Sequence, residues 1–366
     1  MIDDQIMLVD GTNGYNYIIS TTTFAEISDA DYPDTALQVT SQDDIFIVKD
    51  PTVSGRVNIC TPSNGLSWPT TAFFNAEGHG DDVVAIISDH RELWLLGDKT
   101  TEVWINTGAA TVTFERRDGI FIEIGCQAQH SIAQGDNSLF WLAKDRSGKD
   151  VVVRIDGFVP RIISTRAISH QLASYSTTND AIGYIYRQEG HEFYVLTFPT
   201  AERTWVYDTT TQIWHERRSL ESGSQNRWRG QYHAFFNGVN YVGDYNSGKI
   251  YELDPDTYTE NSAVITRTRT SQPFYSLGKD LTIYRFQLDF ETGVGSDPTV
   301  TLALSHDGGH TFQTGIDRTL TTTEYGKRII WNRLGRGRDF TLRLTTTANA
   351  KITVLGALAD FEIANE

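Results

Sequence analysis

Residues 140–155, FWLAKDRSGKDVVVRI, decide how the rest of the chain is read. An apolar run ends at Ala143, a turn rich in Lys, Asp, Ser and Gly follows, and a second run leads from Val151 to Ile155. That is strand, turn, strand. The same unit recurs as IMLVDGTNGYNYI from Ile6, IFIVKDPTVSGRVNI from Ile45, LWLLGDKTTEVWI from Leu93, FYVLTFPTAERTWVY from Phe193 and NYVGDYNSGKIYEL from Asn240. Anchored on Met7, Phe46, Trp94, Trp141, Tyr194 and Tyr241, the spacings are 39, 48, 47, 53 and 47 residues. This period fits a propeller blade of four strands, roughly 40 to 50 residues each. Six hairpins therefore predict a β-propeller of about six blades, with the short first spacing predicting an irregular or incomplete first blade. An ordinary β-sandwich with coincidental spacing is the alternative.

Helical periodicity is almost absent; the one helix expected is Arg166 to Ser174 (RAISHQLAS), with Ile168 and Leu172 on one face and Ser164 or Thr165 as cap. The repeat stops near Asp254-Pro255-Asp256. Beyond it, Val264 to Arg269, Ile283 to Phe290, Thr299 to Leu304, Phe340 to Leu344 and Ile352 to Leu355 alternate strictly, as antiparallel strands with one wet face do. The expected organisation is all-β, with a propeller over residues 1–258 and a C-terminal antiparallel β-sandwich or jelly-roll-like domain over 259–366.

Charge divides at the same place. The 366 residues hold 31 Lys+Arg against 47 Asp+Glu, a net −16, whereas residues 260–366 hold 12 of each, so the whole excess belongs to the repeat. Such a chain repels a phosphate backbone and lacks the counterion-release term behind non-specific nucleic-acid binding. The N-terminal MIDDQIMLVDG is acidic where a secretory signal needs basic residues, and no apolar stretch approaches the ~18 residues of a membrane helix, which predicts a soluble chain. Cys60 and Cys126 lack metal or redox spacing and are expected to be reduced, buried and structural.

The sharpest short motif is SHDGGHTF, Ser305 to Phe312, which fits the Asp-box pattern. Ser305, Asp307, Gly309, Thr311 and Phe312 are expected to staple a turn: the carboxylate takes the turn's amides, glycine supplies positive φ, and the ring packs beneath. No catalytic set, metal site or cofactor loop is expected. Histidines are scattered, no nucleophile elbow or nucleotide loop is present, and Asp29/Asp31/Asp34, Asp43/Asp44 and Asp254/Asp256 lack calcium-loop spacing and read as solvated loop acids. The run KRIIWNRLGRGRDFTLRL, Lys327 to Leu344, places Arg328, Arg333, Arg336, Arg338 and Arg343 around Trp331. Arg and Trp are the side chains most enriched in interface hot spots, so this run is a candidate docking surface; a strand-turn-strand with solvated arginines is the plain alternative.

That run, together with GHEFYVLTFPTAERTWVYDTTTQIWHERRS (Gly190 to Ser219), IMLVDGTNGYNY and LLGDKTTEVWINTG, resembles the packaged-DNA stabilisation proteins of short-tailed phages, also described as tail accessory, hub or nozzle proteins. The resemblance runs from about Ile6 to Phe361, and the short helix has a counterpart there. It implies a propeller with an added β domain, and a homo-hexameric ring in the virion tail. Such a ring continues the channel below the portal and adaptor ring, anchors tailspikes or fibres, receives the needle and retains packaged DNA that passes without specific binding. It also implies no enzymatic activity, no cofactor, no membrane and an isolated subunit able to stay monomeric until it meets the adaptor. Family members usually carry a segment ahead of the VDG-like hairpin, and this chain starts almost at it, as a shortened variant or a fragment would. The reading from a different class is a glycan-binding or glycan-hydrolysing sialidase-like propeller, which requires a concave pocket with paired carboxylates and aromatics.

Overall fold

The structure is a computed structural model describing residues 1–364 apart from 77, 79, 110–112, 277, 292–296, 322–324 and 327, so Lys327 of the arginine-rich run lies outside the described residues. Two compact units are formed, Met1–Arg218 with Arg227–Glu252, and Ser219–Asn226 with Leu253–Glu366. Among the described residues up to Glu252 the chain forms six antiparallel sheets in order, spanning residues 5–26, 39–75, 83–116, 133–162, 182–227 and 230–252, with three, four, four, four, five and three strands; all belong to the first unit except residues 219–226 of the fifth, which group with the second. Opening strands of consecutive sheets lie against each other: Gln5–Val9 with Val39–Gln42, that strand with Val83–Asp89, and Ile182–Gln188 with both Ala133–Gly135 and Gly230–Phe236. The six sequence hairpins are the second and third strands of sheets two to six and the first two strands of sheet one. Sheet one is short of a strand, as the spacing predicted; sheet six is short as well, which the spacing did not show.

The middle strands read as apolar runs because both faces are covered. In Ser138–Lys144, Leu139, Trp141 and Ala143 enter the core shared with sheet three, while Phe140 and Leu142 enter the core shared with sheet five. Val151 and Val153 face the first core and Val152 the second. The helix, Arg166–Leu172, caps the second core with buried Ile168 and Leu172, and Thr165 supplies its cap by accepting from the Ile168 amide at 3.3 Å. Cys60 and Cys126 are free and buried, and burial pushes their thiols up to about 11 and about 12.

Turns repeat as faithfully as strands. In sheets two to six the first and second strands are joined by two residues of positive φ, namely Asp43-Asp44, His90-Arg91, Asp136-Asn137, Glu189-Gly190 and Asn237-Gly238. This geometry matches the right-handed twist of the hairpin and favours Asn-Gly. His90-Arg91 adopts it without glycine: the His90 ring meets Asp89 at 2.7 Å, and Gln42 Nε2 donates to the Arg91 carbonyl at 2.7 Å. The hairpin turns found in the sequence depend on aspartate instead. Asp10 accepts from the amides of Thr12 and Asn13, Asp50 from Thr52 and Val53, Asp145 from Ser147 and Lys149, and Asp244 from Asn246. In sheet three Asp81 takes the Lys99 and Thr100 amides, and in sheet five Asp180 takes the Thr200 amide. Asn13 and Thr12 amides hold the Asp10 carboxyl below its usual range, and the Ser147 hydroxyl with the Lys149 amide does the same for Asp145.

In the second unit one sheet runs in the order Arg267–Thr270, Asp339–Thr346, Thr299–Ser305, Ile316–Thr319, and the other Ile329–Gly337, Leu281–Phe290, Val354–Ile363. Their core holds Ile283, Phe286 and Leu288 from one sheet against Leu302, Phe340 and Leu342 from the other. Two expected strands differ. Val264 to Arg269 is divided, with Ala263–Val264 pairing Thr259–Glu260 and Arg267–Thr270 joining the sandwich. The strand expected at Ile352 to Leu355 begins at Val354 and continues to Ile363, because exposure on both faces removes the alternation that marks a strand.

Asp50 is 6% exposed and accepts from the Thr52 amide at 2.8 Å, the Thr52 hydroxyl at 2.7 Å and the Val53 amide at 3.0 Å. Asp50→Ala strands these donors and lowers stability by about 1–3 kcal/mol, read from the urea unfolding midpoint at constant slope.

Candidate interaction surfaces

The Asp-box forms as a staple between Thr299–Ser305 and Ile316–Thr319. Ser305 Oγ donates to Asp307 Oδ1 at 2.6 Å and accepts from the Gly309 amide at 2.9 Å, while both Asp307 oxygens accept from the Thr311 amide at 2.9 Å. Gly308 and Gly309 have φ of 72° and 94°, and Phe312 lies half-buried under the Arg343 guanidinium at 3.7 Å. Hydroxyls of Ser305 and Thr311 hold the Asp307 carboxyl far below its usual range. Every polar atom of the carboxylate is thus used by the turn.

The arginine-rich run divides into inside and outside. Trp331 is fully buried between the sheets, and its Nε1 donates to the Ile316 carbonyl at 2.8 Å, so it joins the two layers and presents nothing to a partner. The arginines are exposed, yet most have counter-charges: Arg328 faces Asp289 at 3.7 Å, and Arg336 and Arg338 share Asp280 at 2.9 and 3.7 Å. Arg333 sits at φ 58° on a bulge of its strand, where Arg285 pairs with Asn332 and Ile283 with Gly335, and among the described residues it meets no carboxylate. The residues that sequence grouped into one surface are therefore one core tryptophan, three arginines facing two carboxylates, Arg343 over the Phe312 ring, and Arg333, which meets no carboxylate among the described residues.

Two apolar faces were missed. In sheet six Tyr232, Phe236 and Ile250 share the face opposite His233 and Val242 and are 61%, 73% and 74% exposed. In sheet one Ile6, Leu8 and Phe24 occupy the face opposite buried Met7, with Phe24 stacked on Tyr15 at 5.2 Å. These are the first and last sheets of the series. Apolar residues on both faces of a first or last strand are the signal that identifies them, because a sheet covered on one side has no need of them there.

Between sheets five and six, Arg217 lies over Tyr186, Phe193 and Trp228 at 5.4, 5.5 and 4.9 Å from the ring centres, and its Nε donates to His215 Nε2 at 3.4 Å. Burial, and then the Arg217 charge, push the His215 imidazole down to about 4. A depression of about 530 Å³ nearby contains Asp136, Glu189 and Glu192, the arrangement nearest to paired carboxylates. Asp136 is tied to Arg154 at 2.7 Å, and Glu192 to Arg187 at 3.0 Å and to the Asp136 amide at 2.7 Å. These acids act as ties. Asp150, whose carboxyl burial holds above its usual range, accepts from the Thr178 hydroxyl and lies across the strand from Lys144. Asp29 and Asp31, expected as solvated acids, instead accept from the Trp68 amide and the Thr70 hydroxyl, pinning their loop. No group of three or more metal-ligating side chains occurs among the described residues, and among them no helix is long and apolar enough to cross a membrane.

A series of meander sheets followed by a two-layer sandwich defines an all-β chain of the propeller–sandwich class. A family model described as "Bacteriophage P22 Gp10, beta-propeller" matches residues 2–258, and one described as "Bacteriophage P22 Gp10, beta-sandwich" matches residues 267–362. The chain belongs to this family of phage tail proteins, the packaged-DNA stabilisation proteins. No curated protein matches it. Among solved structures it is similar to the N-terminal domain of Nup159 (7% identity, 68% of this chain and 73% of that one, TM-score 0.42). It is also similar to the dihydro-heme d1 dehydrogenase NirN in complex with DHE (11% identity, 92% and 66%, TM-score 0.43). At these scores neither likeness bears on function.

Two outcomes follow from the geometry. Trp331→Ala costs about 3–5 kcal/mol in urea unfolding, whereas Arg333→Ala stays within about 0.5 kcal/mol. An unfolded histidine titrates near 6.5 and His215 in the fold near 4, so between those values the unfolded chain binds more protons and stability falls as pH drops. Melting temperature measured from pH 7 to 4 shows this slope, and His215→Gln reduces it.

Proposed function

We propose that the chain is the subunit of a tail hub or nozzle ring that extends the portal channel, retains packaged DNA and anchors tailspikes or fibres and the needle. The observation that carries this reading is that both family models match in order and together span nearly the whole chain. A homo-hexamer requires heterologous contacts between different faces of each copy, and exposed apolar faces at both ends of the sheet series supply two such surfaces. The net charge of −16, carried by residues 1–259, supports a channel that DNA passes without binding, since repulsion acts over a Debye length of about 8–10 Å. We place the functional division at 258/259, with the propeller on one side and the Arg333-bearing sandwich as a docking element on the other.

Electron microscopy of the protein mixed with its portal and adaptor ring tests the assignment. The expected result is added six-fold density continuing the channel below the adaptor. Absence of added density, or a ring of another symmetry, overturns it. Phe236→Glu with Ile250→Glu, both at exposed positions, is expected to leave the subunit folded and abolish the ring.

A further inference from the structure

The last strand, Val354–Ile363, is terminal in its sheet, so one of its backbone edges pairs with no strand among the described residues. Arg267–Thr270 is terminal in the facing sheet. Between these two edges lies a cleft of about 330 Å³ lined by Phe286, Leu288, Phe290, Leu342 and Leu344. Register shows why it stays open. Phe286, Leu288 and Phe290 stand opposite Ala359, Ala357 and Val354, so the inward side of the last strand carries two alanines where the neighbouring strand carries large side chains.

Natural proteins blunt a sheet edge with charge, proline or cover, and residues 354–359, VLGALA, have neither charge nor proline. The opposite wall is cationic. Arg267 and Arg269 pair across the strand with Thr346 and Leu344 and share their inward face, and they are the charged side chains lining the cleft. Arg267 is engaged, donating to the carbonyls of Ala348 and Ala350. Arg269 is exposed and pairs with no carboxylate among the described residues.

We infer that this cleft takes an extended acidic segment of a partner protein, which adds to the free edge of Val354–Ile363, buries alternate apolar side chains against Leu288 and Leu344 and sets a carboxylate against Arg269. Main-chain pairing supplies affinity in such strand addition, and the pockets for alternate side chains supply specificity. The ten-residue edge has room for a strand of about 33 Å. A second copy paired edge to edge leaves Arg269 without a counter-charge. A small amphipathic anion satisfies Arg269 and leaves the edge unpaired. An acidic strand answers both, and the inference stands independently of the ring assignment.

The test uses the full chain and two fluorescein-labelled nine-residue peptides with threonine at alternate positions and valine at the others save one, which is glutamate in the first peptide and lysine in the second so that the charge shares the valine face, read by anisotropy and amide hydrogen exchange. The glutamate peptide is expected to bind about tenfold tighter or more, to slow exchange over residues 354–359, and to lose its advantage to the lysine peptide in Arg269→Glu. Ala357→Trp, which fills the cleft from an exposed position, is expected to weaken binding by about tenfold with an unchanged melting temperature. Equal binding of both peptides, or none at about 100 µM, overturns the inference. So does protection of residues 354–359 that grows with protein concentration alone, which assigns the edge to a second copy. Displacement of the peptide by laurate without edge protection overturns it in favour of a small-amphiphile site.

Discussion

A chain that folds as successive short meanders reverses direction every few residues, and each reversal leaves backbone amides that no strand can pair. Meeting that requirement shapes the first unit. At the hairpins of all six sheets the unpaired amides are taken by aspartate, either the hairpin's own (Asp10, Asp50, Asp145, Asp244) or one placed just before the sheet begins (Asp81, Asp180). With the turns held, the middle strands are free to bury both faces, and sheets three and four each contribute to two cores. The acidic surplus and the repeated fold are in this sense one feature. Part of the net negative charge is present because the turns need carboxylates.

The hairpins were legible because two-sided burial imposes long apolar runs and the turns between them are polar, so both signals survive in a single sequence. The flanking strands were not. Phe114–Arg116 and Val159–Ile162 are three and four residues long and mostly exposed, too short to show a period. Turn chemistry was half legible: Asn237-Gly238 announces its type, but His90-Arg91 reaches the same backbone through Asp89 and Gln42, contacts that sequence neighbours do not reveal. The helix was readable from two positions and a cap because Ile168 and Leu172 are the residues it buries.

The surfaces followed a different rule. Ser305 to Phe312 could be read in full because its partners are all within the motif or one strand away. The run around Trp331 could not, since whether a tryptophan is core or contact depends on which sheet covers it, and that was decided by the distant Ile316 carbonyl. Family membership supplies the biological setting that these local features lack, and the apolar faces of the first and last sheets give that setting surfaces on which to act.

The use of aspartate at the hairpin turns has one more consequence. An asparagine side-chain oxygen accepts an amide as aspartate does, so each of these turns can exchange one for the other with its backbone bonds kept. Charge is then a coordinate along which related chains can drift while the sheets stay as they are. Related chains can therefore differ widely in net charge through single-residue changes that leave the hydrogen bonding of every turn, and the sheets built on it, untouched.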